Sequence, residues 1–195
     1  MNLQYMTLNA LNNYYKIIAS TIILLLITPA SISASSAPLM KELTKVSPAV
    51  KAPELKLENE DEDIINIKDY LGKVVIINFW ATWCPPCRRE MNSLNELYLE
   101  MKNKDVVVLT INVGEDDDAV FEFMNNVSPA LSFPVLFDKD SKAMERWGAI
   151  GLPTTYVIDK KGNIVYQAIG GRDFKSESII NALLELSKEN IEMKK

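Results

Sequence analysis

Both cysteines of this 195-residue chain sit in one motif, Trp83-Cys84-Pro85-Pro86-Cys87, between the apolar run Val74 to Trp80 and the helical pattern Arg88 to Met101. A run that is apolar at nearly every position is a strand buried on both faces. Met91, Leu94, Leu97, Tyr98 and Met101 fall on one helical stripe, which is core packing. Every thiol is therefore committed to one C-x-x-C at a strand-to-helix junction.

That position has chemical consequences. The thiolate is the species that attacks a disulfide, and a helix N-terminus favours it through unpaired N–H groups and the positive end of the helix dipole. Cys84 is expected to be the exposed attacker. Cys87, one turn into the helix, is expected to resolve the mixed disulfide that Cys84 forms with a partner. The pair then works as a reversible two-electron switch.

Other uses of two cysteines fit less well. A structural zinc site needs about four ligands, and the chain has no histidine and no third cysteine. A structural disulfide gains its stabilisation by closing a long loop, and this loop spans two residues. A peroxidase would place Thr three residues before its cysteine, where Ala81 stands, and a copper chaperone of the M-x-C-x-x-C kind would place Met at Thr82.

The N-terminal residues point to export. Lys16 and Lys41 are the only charges in the first 41 residues, and Ile17 to Ile27 is an apolar run between them. Eleven residues are short for a membrane span, which needs about 20, but suit the apolar core of a secretory signal. Small residues from Ser31 to Ala37 offer cleavage sites. Residues 1–37 are read as a signal peptide, with an uncleaved membrane anchor as the rival. Residues 38–52, with Pro38, Ser47 and Pro48, show no periodicity and read as a tether. Residues 53–190 make one domain. A net charge of −5 argues against nucleic acid and against an electrostatic hold on anionic lipid. Partners are expected to be proteins.

Within that domain strands and helices alternate. Val106 to Val113 and Phe133 to Phe137 are strand-like; Asp117 to Val127, Ser141 to Trp147 and Ser176 to Lys188 are helical. Thr154 to Ile158 and Ile164 to Ile169 form a hairpin closed by Asp159-Lys160-Lys161-Gly162-Asn163. The expected architecture is α/β, a mixed sheet covered on both faces.

From about Ala52 to Leu186 the chain resembles the thioredoxin superfamily, and within it the exported TlpA and ResA type of thiol-disulfide oxidoreductase. The likeness is carried by Gly72 to Cys87 (GKVVIINFWATWCPPC), Asn112-Val113-Gly114-Glu115, Gly151-Leu152-Pro153-Thr154-Thr155-Tyr156-Val157-Ile158-Asp159, and the opening Ala52-Pro53-Glu54-Leu55. It implies a thioredoxin-like three-layer fold with a central mixed β-sheet flanked by helices. It also implies a cis peptide at Pro153 facing the dithiol, with Leu152 pairing to an extended substrate segment. Trp83 and Pro86 would border the attacking sulfur, with Arg88 and Arg89 solvated. Asn78 departs from cytoplasmic thioredoxins, which carry a buried Asp there, and Asn cannot titrate. The resemblance gives the proton-acceptor role to Glu115, although Glu115-Asp116-Asp117-Asp118 also reads as an acid-rich helix start.

The leading expectation is a monomeric exported reductant without a cofactor beyond its own Cys84–Cys87 disulfide. It would sit in the periplasm or on the outer face of the cytoplasmic membrane. Its partners would be protein thiols and disulfides, apocytochrome c among them, and a membrane electron donor. A dithiol oxidant or isomerase is the second enzyme reading, because direction depends on potential. A copper(I)-binding module using two soft thiolates is the third.

Overall fold

The computed structural model describes residues 39–189. Eight strands form one sheet: β1 (Thr44–Lys51), β2 (Lys56–Asn59), β3 (Ile64–Asn66), β4 (Val74–Trp80), β5 (Val106–Val113), β6 (Val135–Asp138), β7 (Thr154–Ile158) and β8 (Asn163–Ile169). Their spatial order is β1-β8-β7-β4-β5-β6-β2-β3. The central pairs β4–β5 and β5–β6 are parallel, whereas β7 and β8 run antiparallel beyond β4. Among the described residues three α-helices connect them, α1 (Pro85–Met101), α2 (Asp117–Asn126) and α3 (Lys142–Arg146), and a fourth, α4 (Glu177–Lys188), follows β8.

Every residue of β4 is buried, as its unbroken apolar run demands. Alternation along the strand divides it between two cores. Val74, Ile76 and Trp80 join Met91, Leu94, Leu97, Phe174, Ile179 and Leu183 on the face covered by α1 and α4. Val75, Ile77 and Phe79 join Leu109, Ile111, Trp147 and Tyr156 on the other. By the same alternation Asn78 faces α1. Its buried polar side chain must find partners there.

The expected mixed sheet covered on both faces is present, and each predicted helix forms within a few residues of its expected limits. β6 starts two residues later than predicted because Pro134, lacking an N–H, precedes it. The tether reading of residues 38–52 is corrected: Thr44–Lys51 is a strand paired antiparallel with β8. It escaped notice because seven of its eight residues are exposed, so no apolar alternation marks it, and its register shifts between Lys45 and Val50. The short strands β2 and β3 were also missed, being four and three residues of mixed polarity. The expectation of a signal peptide or anchor over 1–37 lies outside the described residues.

Candidate active site

Helix α1 begins at the motif itself. Cys84 is its N-cap, with φ −86° and ψ 106°, and Pro85 and Pro86 occupy the first two helical positions. Proline suits the first turn, where an N–H would be unsatisfied anyway. Two prolines in succession leave few donors at this helix end. Cys84 N–H donates to Ala81 O at 3.2 Å, and Arg88 N–H already makes the helical bond to Cys84 O at 3.1 Å. The N–H of Cys87 is left over, and it donates to Cys84 Sγ at 3.3 Å. The positive end of the helix is thereby aimed at one sulfur.

The two cysteines form a disulfide with Cα atoms 5.3 Å apart. The expectation that Cys84 is exposed does not hold in this closed state, since the residue is 2% exposed and Cys87 0%. With the bond closed, both residues belong to the α1-side core. Trp83, at 67% exposure, and Pro85 are the surface residues of the motif, with Pro86 half-buried beside them. Arg88 and Arg89 are exposed, and the Arg88 guanidinium lies 5.3 Å from the centre of the Phe123 ring.

Below the dithiol lies an acid that the sequence reading overlooked. Glu90 is fully buried. Its Oε1 accepts from Asn78 Nδ2 at 2.8 Å, and its Oε2 accepts from the Arg172 N–H at 2.7 Å. Asn78 Nδ2 also donates to Thr155 Oγ1 at 3.0 Å, tying the carboxyl to β4 and β7. Burial pushes the Glu90 carboxyl up to about 7, against the two hydrogen bonds and the Arg172 charge, which pull it down. Removing a carboxylate from water disfavours its charged form more than these partners restore it. Glu90 is three residues beyond Cys87, so the two are neighbours on one helix face. The signal for it was an acid on the apolar stripe of Cys87, Met91 and Leu94.

Glu115 occupies a different place. Gly114, at φ +73°, turns the chain after β5 so that Glu115 reaches back to the residues before Cys84. Its Oε2 accepts from Thr82 N–H and from Asn112 Nδ2, both at 2.7 Å, and its Oε1 accepts from Thr82 Oγ1. The helix-start acids prove to be its neighbours: Asp116 is the N-cap of α2 and accepts from Ala119 N–H at 2.9 Å.

The Leu152–Pro153 peptide is cis. Pro153 is buried, and its carbonyl accepts from Gly170 N–H at 2.8 Å. Leu152 is half-buried and packs against both core clusters.

Chemically, this assembly can open and close an S–S bond. Opening it takes two electrons and two protons, and an acid titrating near neutrality one turn from Cys87 can exchange one of those protons.

Comparison with known proteins agrees with this chemistry. Residues 48–167 match the AhpC/TSA family. The chain is 42% identical over 120 residues to the thiol-disulfide oxidoreductase ResA of Bacillus thuringiensis, covering 62% of this chain and 68% of that one. Among solved structures, a candidate thiol:disulfide interchange protein DsbE of Chlorobium tepidum superposes with a TM-score of 0.65 at 30% identity, over 74% of this chain and 99% of that one. A secreted thiol-disulfide isomerase of Corynebacterium glutamicum superposes with a TM-score of 0.64 at 26% identity, over 78% of this chain and 96% of that one. With its closed Cys84–Cys87 pair at the head of α1, the chain belongs to the AhpC/TSA family as a thioredoxin-like thiol-disulfide oxidoreductase of the ResA kind.

Proposed function

We propose that the enzyme is an exported, monomeric reductant of protein disulfides, with the disulfide form of the apocytochrome c C-x-x-C-H motif as its substrate, which it returns to thiols. The observation that carries the chemistry is the Cys87 N–H aimed at Cys84 Sγ, with buried Glu90 one turn further along the same helix. In the reduced enzyme the Cys84 thiolate attacks one sulfur of the substrate disulfide, forming a mixed disulfide and releasing the other sulfur. Cys87 then gives its proton to Glu90 and attacks Cys84 Sγ. The second substrate sulfur leaves, and the enzyme closes to the disulfide seen here. Substrate gains two electrons from the dithiol and two protons, one passed on from Glu90 and one from solvent, which took the Cys84 proton when that thiol ionised. A membrane donor of electrons restores the dithiol.

Glu90 and Glu115 divide the work in this reading. Glu90 holds and moves the proton, and Glu115 anchors Thr82 so that Trp83 and Cys84 keep their positions. Trp83, Pro86, Leu152 and Pro153 border the dithiol and receive the extended substrate segment. Export is supported by the apolar run Ile17 to Ile27 and by likeness to a secreted isomerase. The choice of apocytochrome c rests on resemblance to the TlpA and ResA type.

The test is the reduction potential of the Cys84–Cys87 couple. A value below about −250 mV, in the range of thioredoxin, supports the reductant. A value of about −180 mV or higher, where isomerases and strong oxidants lie, reverses the direction.

A further inference from the structure

Part of the wall around Glu90 comes from residues that belong neither to the dithiol motif nor to the central strands. The segment Leu39 to Glu42 runs beside the loop Gly170 to Arg172 that follows β8. Met40 N–H donates to Gly171 O at 3.2 Å, Asp173 N–H donates to Met40 O at 2.8 Å, and Ser176 Oγ donates to Lys41 O at 2.7 Å. The Arg172 side chain joins segment to loop. Its Nε donates to Glu42 O at 2.8 Å, and its Nη1 donates to the carbonyls of Ile169, Gly170 and Gly171 at 3.2, 2.9 and 3.2 Å.

Arg172 is only 4% exposed, and all the hydrogen bonds of its guanidinium among the described residues go to main-chain carbonyls. Burying a guanidinium without a carboxylate in contact is costly. What the arrangement achieves is visible at Gly171. A methyl group there would come within 2.7 Å of Leu39 Cδ2, 3.3 Å of Pro86 O and 3.6 Å of Glu90 Oε2. The segment, the first turn of α1 and the buried carboxyl thus converge on one point. The Arg172 N–H completes the enclosure by donating to Glu90 Oε2.

We propose that Arg172 is a positioning residue for proton transfer: by latching Leu39–Glu42 onto the loop after β8, it holds Leu39 as an apolar cover that keeps water from Glu90. This deepens the proposed function and rests on its assignment of Glu90 as the proton acceptor. The groups facing Glu90 are few. Its own helix supplies Cys87, β4 supplies Asn78 with Thr155 of β7 behind it, the segment supplies apolar Leu39, and the loop supplies Arg172, the one formal charge among them. Arg172 therefore acts in two opposing ways. Its charge favours the carboxylate, and the cover it latches favours the protonated acid.

Two substitutions separate these effects. Arg172→Lys keeps the charge, but an ammonium with three donors on a flexible stem cannot span four carbonyls as a guanidinium fork does. Leu39→Ala removes the cover and leaves Arg172 intact. The measurement is the titration midpoint of the Glu90 carboxyl carbon by NMR, in the reduced full-length chain, beside the pH profile of the resolving step. Both variants are expected to lower both midpoints by about one pH unit, the scale of a partial rehydration of a buried acid. A midpoint unmoved in folded Leu39→Ala overturns the proposal, and this variant decides the matter should Arg172→Lys fail to fold. Glu90→Gln is the control on the underlying assignment: it should abolish the carboxyl-linked pH dependence of the resolving step, leaving only that of the Cys87 thiol. If the carboxyl-linked dependence survives, Glu90 is not the acceptor and the role given to Arg172 falls with it. If it vanishes while Leu39→Ala is silent, only the latch is wrong.

Discussion

A carboxyl group with no exposure, held by one amide and one main-chain N–H, keeps its proton far longer than an exposed glutamate. In the unfolded chain Glu90 loses its proton around the ordinary value of 4.5, and in the folded protein around 7. Between those values the folded state binds a proton that the unfolded state has released. Stability contributed by this residue is therefore complete below 4.5, falls as pH rises through about 7, and is flat beyond. The full drop is on the order of 3 kcal/mol by the usual conversion of a pKa shift into free energy. Urea unfolding of the oxidised protein across this range should show the decline, and Glu90→Gln should remove it. An identical slope in the variant would mean that Glu90 titrates normally in the fold. The residue was hidden in the sequence by its own helix, where an acid three positions after Cys87 looks like any solvated glutamate until its neighbours on the stripe are seen to be buried.

At the scale of elements, the junction between β5 and α2 serves the junction between β4 and α1. β4 and β5 are parallel and adjacent, with Trp80 opposite Asn112, so the chain leaving each strand emerges at the same edge of the sheet. Glu115 crosses from one exit to the other and accepts from Thr82 and Asn112. Glu115→Ala leaves those donors unpaired and should cost about 1–3 kcal/mol. It should also loosen Thr82 and Trp83 while leaving the pH midpoint of the resolving step unchanged, which stopped-flow fluorescence of Trp83 can follow. A shifted midpoint would return the proton-acceptor role to Glu115. The motif Asn-Val-Gly-Glu identified the residue from sequence, but its partners depend on the pairing of two strands about 30 residues apart.

For the whole molecule, the consequential prediction is its compartment. On the proposed reading of the apolar run Ile17 to Ile27 and the small residues after it as an export signal, the catalytic domain is expected outside the cytoplasm. A protease unable to cross the inner membrane should digest it in spheroplasts. Survival there, with degradation only after lysis, would refute export. An exported dithiol stands among persistent disulfides, so a working reductant in that space depends on a supply of electrons.

What the sequence determined by itself were the features written in local pattern. β4 is apolar throughout and had to be a central strand, α1 shows a buried stripe, Pro85 and Pro86 fit only a first turn, and Gly162, at φ +79°, closes the β7–β8 hairpin. The dithiol and its position at a helix end were legible for the same reason. Tertiary structure alone decided the features that need a distant partner. β1 is a strand only because β8 offers an open edge, and its exposed residues carry no alternation to announce it. Glu90 becomes an unusual acid only when α1 lies over Asn78, when the loop after β8 brings in the Arg172 N–H, and when Leu39 packs nearby. Burial is a property of the assembled sheet and helices, and burial is what turns an ordinary glutamate into one that titrates near neutrality.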